Sequence, residues 1–228
     1  ENHCPNEAAM AHLEASCTDQ RREDRSDECV DVHQPCDGDS TQDPNSEVEK
    51  DTIVVETINV TSAHANQGAI FKRSANVLCI QEHSMTHAMI KDFKEQAKLH
   101  NKKAMFGPTD PELGRMAAGV GIMFDDNIKF YELENGNKEY EDIKATGRCA
   151  IYCADLDGTT LTCCIMYGWT GGRKNTCEAM RTDDMCAAAR AQLELLPPGL
   201  KLIAADLNGP IEAFPTIAHM IREEGWCD

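Results

Sequence analysis

No run in the chain approaches the ~20 apolar residues that a membrane-crossing helix requires, so the sequence offers no candidate span. Positive charge is also scarce: 22 Lys and Arg stand against 39 Asp and Glu, a net charge of -17 over 228 residues. Non-specific nucleic-acid binding relies on Lys and Arg displacing counterions from phosphates, and an acidic body is poorly suited to it. Phosphate chemistry in such a chain calls for a bridging cation. The 12 cysteines include no Cys-x-x-Cys pair, their spacings match no zinc-finger template, and no internal repeat is present.

Six of the cysteines, Cys79, Cys149, Cys153, Cys163, Cys164 and Cys186, fall inside apolar strand or helix patterns. There a thiol behaves as a small hydrophobe, which favours the reduced form and a reducing compartment. Cys4, Cys17, Cys29 and Cys36, with His3 and His33 beside them, leave zinc binding and disulfide formation both open.

Residues 1–50 are almost without aliphatic side chains. They hold 14 acidic against 4 basic residues, or -10, leaving 25 acidic and 18 basic, or -7, for the remainder. A segment this polar does not bury enough apolar area to offset its ordering entropy. The expectation is a mostly disordered tail, with at most a short helix around Glu7 to Ser16. An ordered tail implies a protein partner that holds it. The folded domain is expected over 51–228.

Within that domain, Thr52–Asn59 and Val77–Glu82 read as strands, separated by a helix over Ala65–Ser74 that turns Ile70 and Phe71 inward. Ser84 is placed to cap a helix from Met85 to about His100, with Met85, Met89, Phe93 and Ala97 along its core face. Strands over Gly119–Phe124 and Ile128–Leu133 flank an Asp125-Asp126-Asn127 turn. Two more, Arg148–Leu156 and Thr160–Tyr167, flank Asp157-Gly158, a dipeptide suited to a tight hairpin. These four strands are expected to be antiparallel. A helix over Asp183–Leu196, a strand over 200–206 and a helix over Pro215–Glu224 complete an α/β chain with mixed sheets.

Three buried strands end on polar groups: the first on Asn59, the second on Glu82, and Leu200-Lys-Leu-Ile-Ala-Ala-Asp-Leu-Asn208 on Asp206 and Asn208. In open α/β sheets ligands sit at such strand ends. Carboxylates and amides gathered there suit a hard cation, which takes one or two protein carboxylates and borrows further oxygens from a phosphate. The loop after Tyr167 carries Trp169, Arg173 and Lys174, an aromatic beside two cations that is able to stack on a base or contact phosphate.

The segments Thr57-Ile-Asn-Val60, Cys79-Ile-Gln-Glu-His83, Gly119-Val-Gly-Ile-Met123, Ile165-Met-Tyr-Gly168 and Ala205-Asp-Leu-Asn208, in this order, resemble the endonuclease/exonuclease/phosphatase (DNase-I-like) superfamily. The resemblance covers about Thr52 to Asp228. It implies a four-layered α/β sandwich, two mixed and largely antiparallel sheets flanked by helices, and hydrolysis of phosphodiester or phosphomonoester bonds with Mg²⁺ or Mn²⁺. Nucleic acid or another phosphoester is the implied substrate. Carried over, the resemblance makes Glu82 the principal metal ligand and gives Asn59 support of the metal or the phosphate. Asp206 orients or deprotonates the attacking water, Asn208 holds phosphate oxygens, and Tyr167 hydrogen-bonds the phosphate.

The sequence departs from the family pattern in three places. Ala205 stands where the family has glycine, Leu207 replaces its usual aromatic, and the final strands with their Ser-x-x-Asp-His-like motif are missing. His64, His83 and His87 lie near the expected site, but the expectation is that they are surface or helix-start residues. The alternative function is a catalytically inactive family member that serves as an interaction module in a larger assembly.

Overall fold

The computed structural model of the chain describes residues 52–110, 118–172 and 176–227. Segment 1–50 with its four cysteines, and the loop cations Arg173 and Lys174, lie outside the described residues.

Two four-stranded sheets form the frame. The first contains β1 (Val55–Asn59), β2 (Val77–Gln81), β3 (Lys102–Phe106) and β4 (Val120–Asp125), in the order β1-β2-β4-β3. The second contains β5 (Phe130–Glu132), β6 (Cys149–Leu156), β7 (Thr159–Tyr167) and β8 (Leu200–Asp206), in sequence order. β1 runs parallel to β2 and β8 parallel to β7, while the other pairs are antiparallel. The parallel pairs matter for function, because they send the C-terminal ends of β1, β2, β7 and β8 toward a common place.

Alternation along the strands builds the layers. Val77, Cys79, Val120, Ile122 and Phe124 point inward from one sheet and meet Tyr152, Ala154, Leu161, Cys163 and Ile165 from the other. The opposite face of the first sheet, with Leu78, Ile80 and Met123, is covered by Ile70 and Phe71 and by α2 (His87–Leu99) through Phe93 and Ala97. Cys149, Ile151, Cys164 and Met166 on the far side of the second sheet pack on α3 (Lys138–Ala145) through Tyr140 and on α4 (Thr176–Leu195) through Met185, Ala189 and Leu193. The order helix, sheet, sheet, helix is the expected four-layered sandwich. Strands buried on both faces read as continuous apolar runs, as β2 and β7 do.

Several elements differ from the sequence expectation. The Asp125–Asn127 turn does not join antiparallel neighbours: β4 pairs with β2 and β3, and the chain then crosses to the other sheet, where β5 pairs with β6. Strand β3 leaves no apolar run in the sequence because Lys102 and Lys103 hide its period. Lys102 is nevertheless buried, its Nζ held by Asp125 at 2.5 Å and by the Ala75 carbonyl at 2.7 Å. Helix α3 follows what reads as a breaker, Asn135-Gly136. Asn137 caps it by accepting from Tyr140 N at 2.8 Å, and Tyr140 Oη in turn accepts from Ile151 N at 2.9 Å.

The expected helix at 65–74 contracts to one turn, Gln67–Ile70, designated α1, although Ile70 and Phe71 are buried as anticipated. Thr86 rather than Ser84 caps α2, and α4 begins well before Asp183. The last helix, α5 (Pro215–Glu223), starts on proline, whose missing N–H costs nothing at that position. All six cysteines read as core residues are buried thiols. Among the described residues no helix is long and apolar enough to cross a membrane.

Candidate active site at the converging strand ends

Asn59 follows from the parallel pairing of β1 with β2, and Asp206 from that of β8 with β7; the two side chains meet, Asn59 Nδ2 donating to Asp206 Oδ2. Gln81, the last residue of β2 and 2 % exposed, sets this register from below. Its amide donates to Thr57 Oγ1 on β1 at 2.8 Å and to the Ala204 carbonyl on β8 at 3.1 Å. One buried amide thus ties both sheets together beneath the residues that end them. An unmet partner there would cost about 1–3 kcal/mol, so the register is firmly held.

Glu82, directly after Gln81, has a positive φ of 56°. Asn208, two residues beyond Asp206, has the same φ of 56°. Left-handed conformations at residues other than glycine cost of the order of 1–3 kcal/mol and concentrate at functional sites. For Asn208 the conformation is supported locally. Its backbone N–H donates to Asp206 Oδ1 at 3.0 Å and its side-chain amide donates to the Gly168 carbonyl at 2.9 Å. Gly168 must be glycine, since a Cβ would lie 2.4 Å from the Leu207 carbonyl oxygen.

Tyr167 closes the cluster. Its side chain is nearly buried at the end of β7, with Glu82, Asn208 and Asp206 close enough to act on the ionisation of its hydroxyl. Burial first, then the negative charge of Glu82, pushes its ionisation up to about 12, so the phenol stays protonated and remains a donor. Asp206 adds a smaller push in the same direction. Asn59, Asp206 and Asn208 are thus hydrogen-bonded in series, with Tyr167 and Glu82 beside them, and the five come from four strand ends.

Two residues outside the expected set, Arg148 and Gln81, support the cluster, and a third, His83, follows Glu82 in the chain. Arg148, 2 % exposed, donates from Nε to Asp110 Oδ2 at 2.7 Å and from Nη1 to the Gly168 carbonyl at 2.9 Å. Its guanidinium also lies over the Tyr167 ring, 5.4 Å from the centroid. Gln81 is the second. His83 is the third, and it is not the surface residue expected: it is wholly buried. Its Nδ1 accepts from Met85 N at 3.1 Å and its Nε2 faces the Gly107 carbonyl at 3.1 Å, which assigns the neutral tautomer with the proton on Nε2. Burial lowers its ionisation from 6.5 to about 4. Only the sequence neighbourhood of Glu82 hinted at it.

Trp169 is placed elsewhere than expected, whereas His64 and His87 are the surface and helix-start residues anticipated. Trp169 does not project as a stacking platform. It is 9 % exposed, belongs to the core under α4, and carries the guanidiniums of Arg148 and Arg181 over its ring at 4.8 and 4.5 Å. A base cannot share a ring so covered. His64 pairs with Asp92 at 3.2 Å, and His87 is an exposed first residue of α2. Among the described residues no histidine hydrogen-bonds to Glu82, Asp206 or Asn208, and no three His, Cys, Asp or Glu residues gather as a metal-binding group. The donor set is two carboxylates with neighbouring amides. That set fits a hard cation which keeps water and substrate oxygens, but not a cage made wholly of protein carboxylates.

No family sequence profile matches the chain. No curated protein matches it in sequence either. Its backbone, however, superposes on solved structures. The human Nocturnin catalytic domain with a bound sulfate anion matches at a TM-score of 0.54 and 13 % identity, over 75 % of this chain and 69 % of that one. A 3′ phosphatase from Neisseria, NExo, bound to a product DNA hairpin, matches at 0.51 and 13 % identity, over 69 % and 58 %. A humanized D. rerio TDP2 matches at 0.51 and 14 % identity, over 71 % and 68 %. These matches show a shared fold, in keeping with the fold that the resemblance to the DNase-I-like superfamily implies. The chain spans 58 % of the length of the Neisseria protein.

Proposed function

We propose that the chain is a metal-dependent phosphoesterase acting on a phosphodiester, with a nucleic-acid strand as the favoured substrate class and a phosphomonoester as the variant. The observation that carries this reading is the meeting of Glu82, Tyr167, Asn208, Asp206 and Asn59 at one set of strand ends. The shared fold with a DNA-bound 3′ phosphatase supports it.

In this reading Glu82 is the principal ligand of a Mg²⁺ or Mn²⁺ ion, with Asn59 beside it. The bound cation supplies Lewis-acid polarisation of a phosphoryl oxygen and local neutralisation of the phosphate, which answers the acidity of the chain. Asp206, oriented by the Asn59 amide and the Asn208 backbone N–H, holds the attacking water and accepts its proton. The Asn208 amide, fixed by the Gly168 carbonyl, is a neutral donor to a phosphate oxygen. Tyr167, kept protonated, donates to the oxygen on which negative charge grows in the transition state.

A second reading is a non-catalytic module that keeps the fold and serves a larger assembly. It is favoured by one observation, the lack of any described histidine bonded to the cluster. Hydrolysis of bis-p-nitrophenyl phosphate with Mg²⁺ and with EDTA separates the two. The phosphoesterase reading predicts metal-dependent turnover that Glu82→Gln and Asp206→Asn each abolish. Turnover unaffected by both replacements contradicts the assigned roles, and its absence in the intact protein supports the module.

A further inference from the structure

Helix α2 presents its apolar face, Phe93 and Ala97, to the first sheet. Another face carries His87, Lys91, Lys94 and Lys98 at i, i+4, i+7 and i+11, a single ridge in an α-helix. The ridge overlooks β3, whose Lys103 forms the facing wall of a groove of about 500 Å³. Lysines on a helix are ordinarily a solvated face, but three features set this one apart. Four of the 18 basic residues of segment 51–228 line one groove in an acidic chain, with Glu95 as its one acidic lining residue. Glu95 is already paired with Lys98 at 3.0 Å, and Lys103 donates to the Asp126 carbonyl, whereas among the described residues Lys91 and Lys94 form no ion pair. Met105 and Phe130 also line the groove; both are half-buried against the core between the sheets, the Phe130 ring packed on Phe124 at 4.9 Å.

We propose that this α2/β3 groove binds a single-stranded nucleic acid, with Lys91, Lys94, Lys98 and Lys103 on its phosphates and its bases on Met105 and Phe130. Lysines tracking a backbone above an aromatic surface is how sequence-tolerant strand binding is built. Seven residues at about 1.5 Å each separate Lys91 from Lys98 by about 10 Å along the helix. Over that length a strand rising about 3.4 Å per nucleotide presents about three phosphates. The choice of a nucleic-acid strand over an acidic peptide rests on the half-buried Phe130 ring beside the lysines and on the phosphoesterase reading. None of the cluster residues lines the groove, so replacing its lysines leaves the cluster's own contacts in place.

The test is fluorescence anisotropy of a labelled oligodeoxythymidylate on the full chain in EDTA, where no metal-dependent hydrolysis occurs, over a series of salt concentrations. Binding is expected to weaken at least about tenfold in K91E/K94E, with the salt slope reduced by about 1.4 for two lost phosphate contacts on a single strand. K91Q/K94Q is expected to fall between it and the unmodified protein. Hydrolysis of bis-p-nitrophenyl phosphate is expected to be the same in all three. Equal affinity and salt slope in K91E/K94E overturn the groove and leave the phosphoesterase reading intact. Lysine-dependent binding without turnover of the small diester overturns that reading and leaves the groove. An oligoglutamate that displaces the strand at equal concentration overturns the nucleic-acid assignment in favour of an acidic peptide.

Discussion

Asn59 donates its side-chain amide to the carboxylate of Asp206 across 147 residues of chain. The contact joins the ends of two edge strands in different sheets, and it exists only because both strands run parallel to their neighbours. It fixes one oxygen of Asp206, while the Asn208 backbone N–H fixes the other at 3.0 Å. An Asp held at both oxygens is oriented rather than free to turn. Replacing Asn59 with Ala is expected to lower phosphodiester turnover about 10- to 100-fold, the usual cost of losing an orienting partner. Steady-state kinetics with the protein's thermal midpoint unchanged are the check.

Tyr167→Phe removes one hydroxyl and little volume. With the phenol acting as donor to developing charge, kcat is expected to fall about 10²- to 10³-fold with little change in KM. A change confined to KM contradicts the role given to Tyr167.

The Arg148–Asp110 pair is buried on both sides, 2 % exposed each. Removing one partner of such a pair leaves an uncompensated buried charge and costs about 3–5 kcal/mol. Arg148→Met is therefore expected to lower the urea midpoint sharply. R148M/D110L, which removes both charges, is expected to recover most of the loss, and the two unfolding curves measure the difference.

His83 gives the stability a pH dependence whose sign follows from its burial. Its ionisation falls from 6.5 to about 4 on folding, so between those values the unfolded chain binds more protons than the folded one. The stabilisation is complete above pH 6.5 and is lost as pH falls toward 4. At about 1.4 kcal/mol per pH unit this amounts to about 2 kcal/mol between pH 7 and 5. Urea unfolding at the two pH values is expected to show that loss in the unmodified protein and a smaller one in His83→Gln.

Much of the frame was legible in the sequence because buried strands are continuous apolar runs bounded by turn residues, as with Val77–Gln81 and Leu200–Asp206. The unread pieces have local reasons. Lys102 and Lys103 disguise β3, since the aliphatic part of a buried lysine packs like an apolar residue. Asn135-Gly136 reads as the end of an element, yet Asn137 immediately caps α3. At the site, Glu82, Asp206, Asn208, Asn59 and Tyr167 were legible as strand-end polar groups. Gln81, His83 and Arg148 were not, because their partners, Ala204, Gly107 and Asp110, are set by long-range packing and leave no local pattern. Trp169 misled for the converse reason: a Trp beside Gly and Arg reads as a surface loop, whereas α4 folds back over it and Thr182 Oγ1 accepts its backbone N–H at 3.0 Å.

The most direct measurement is a calorimetric titration of Mg²⁺ into the intact protein and into Glu82→Gln and Asn59→Ala. One cation is expected to bind with a micromolar to millimolar dissociation constant, with binding lost in Glu82→Gln and weakened in Asn59→Ala. Identical binding isotherms for the unmodified protein and Glu82→Gln would contradict that expectation.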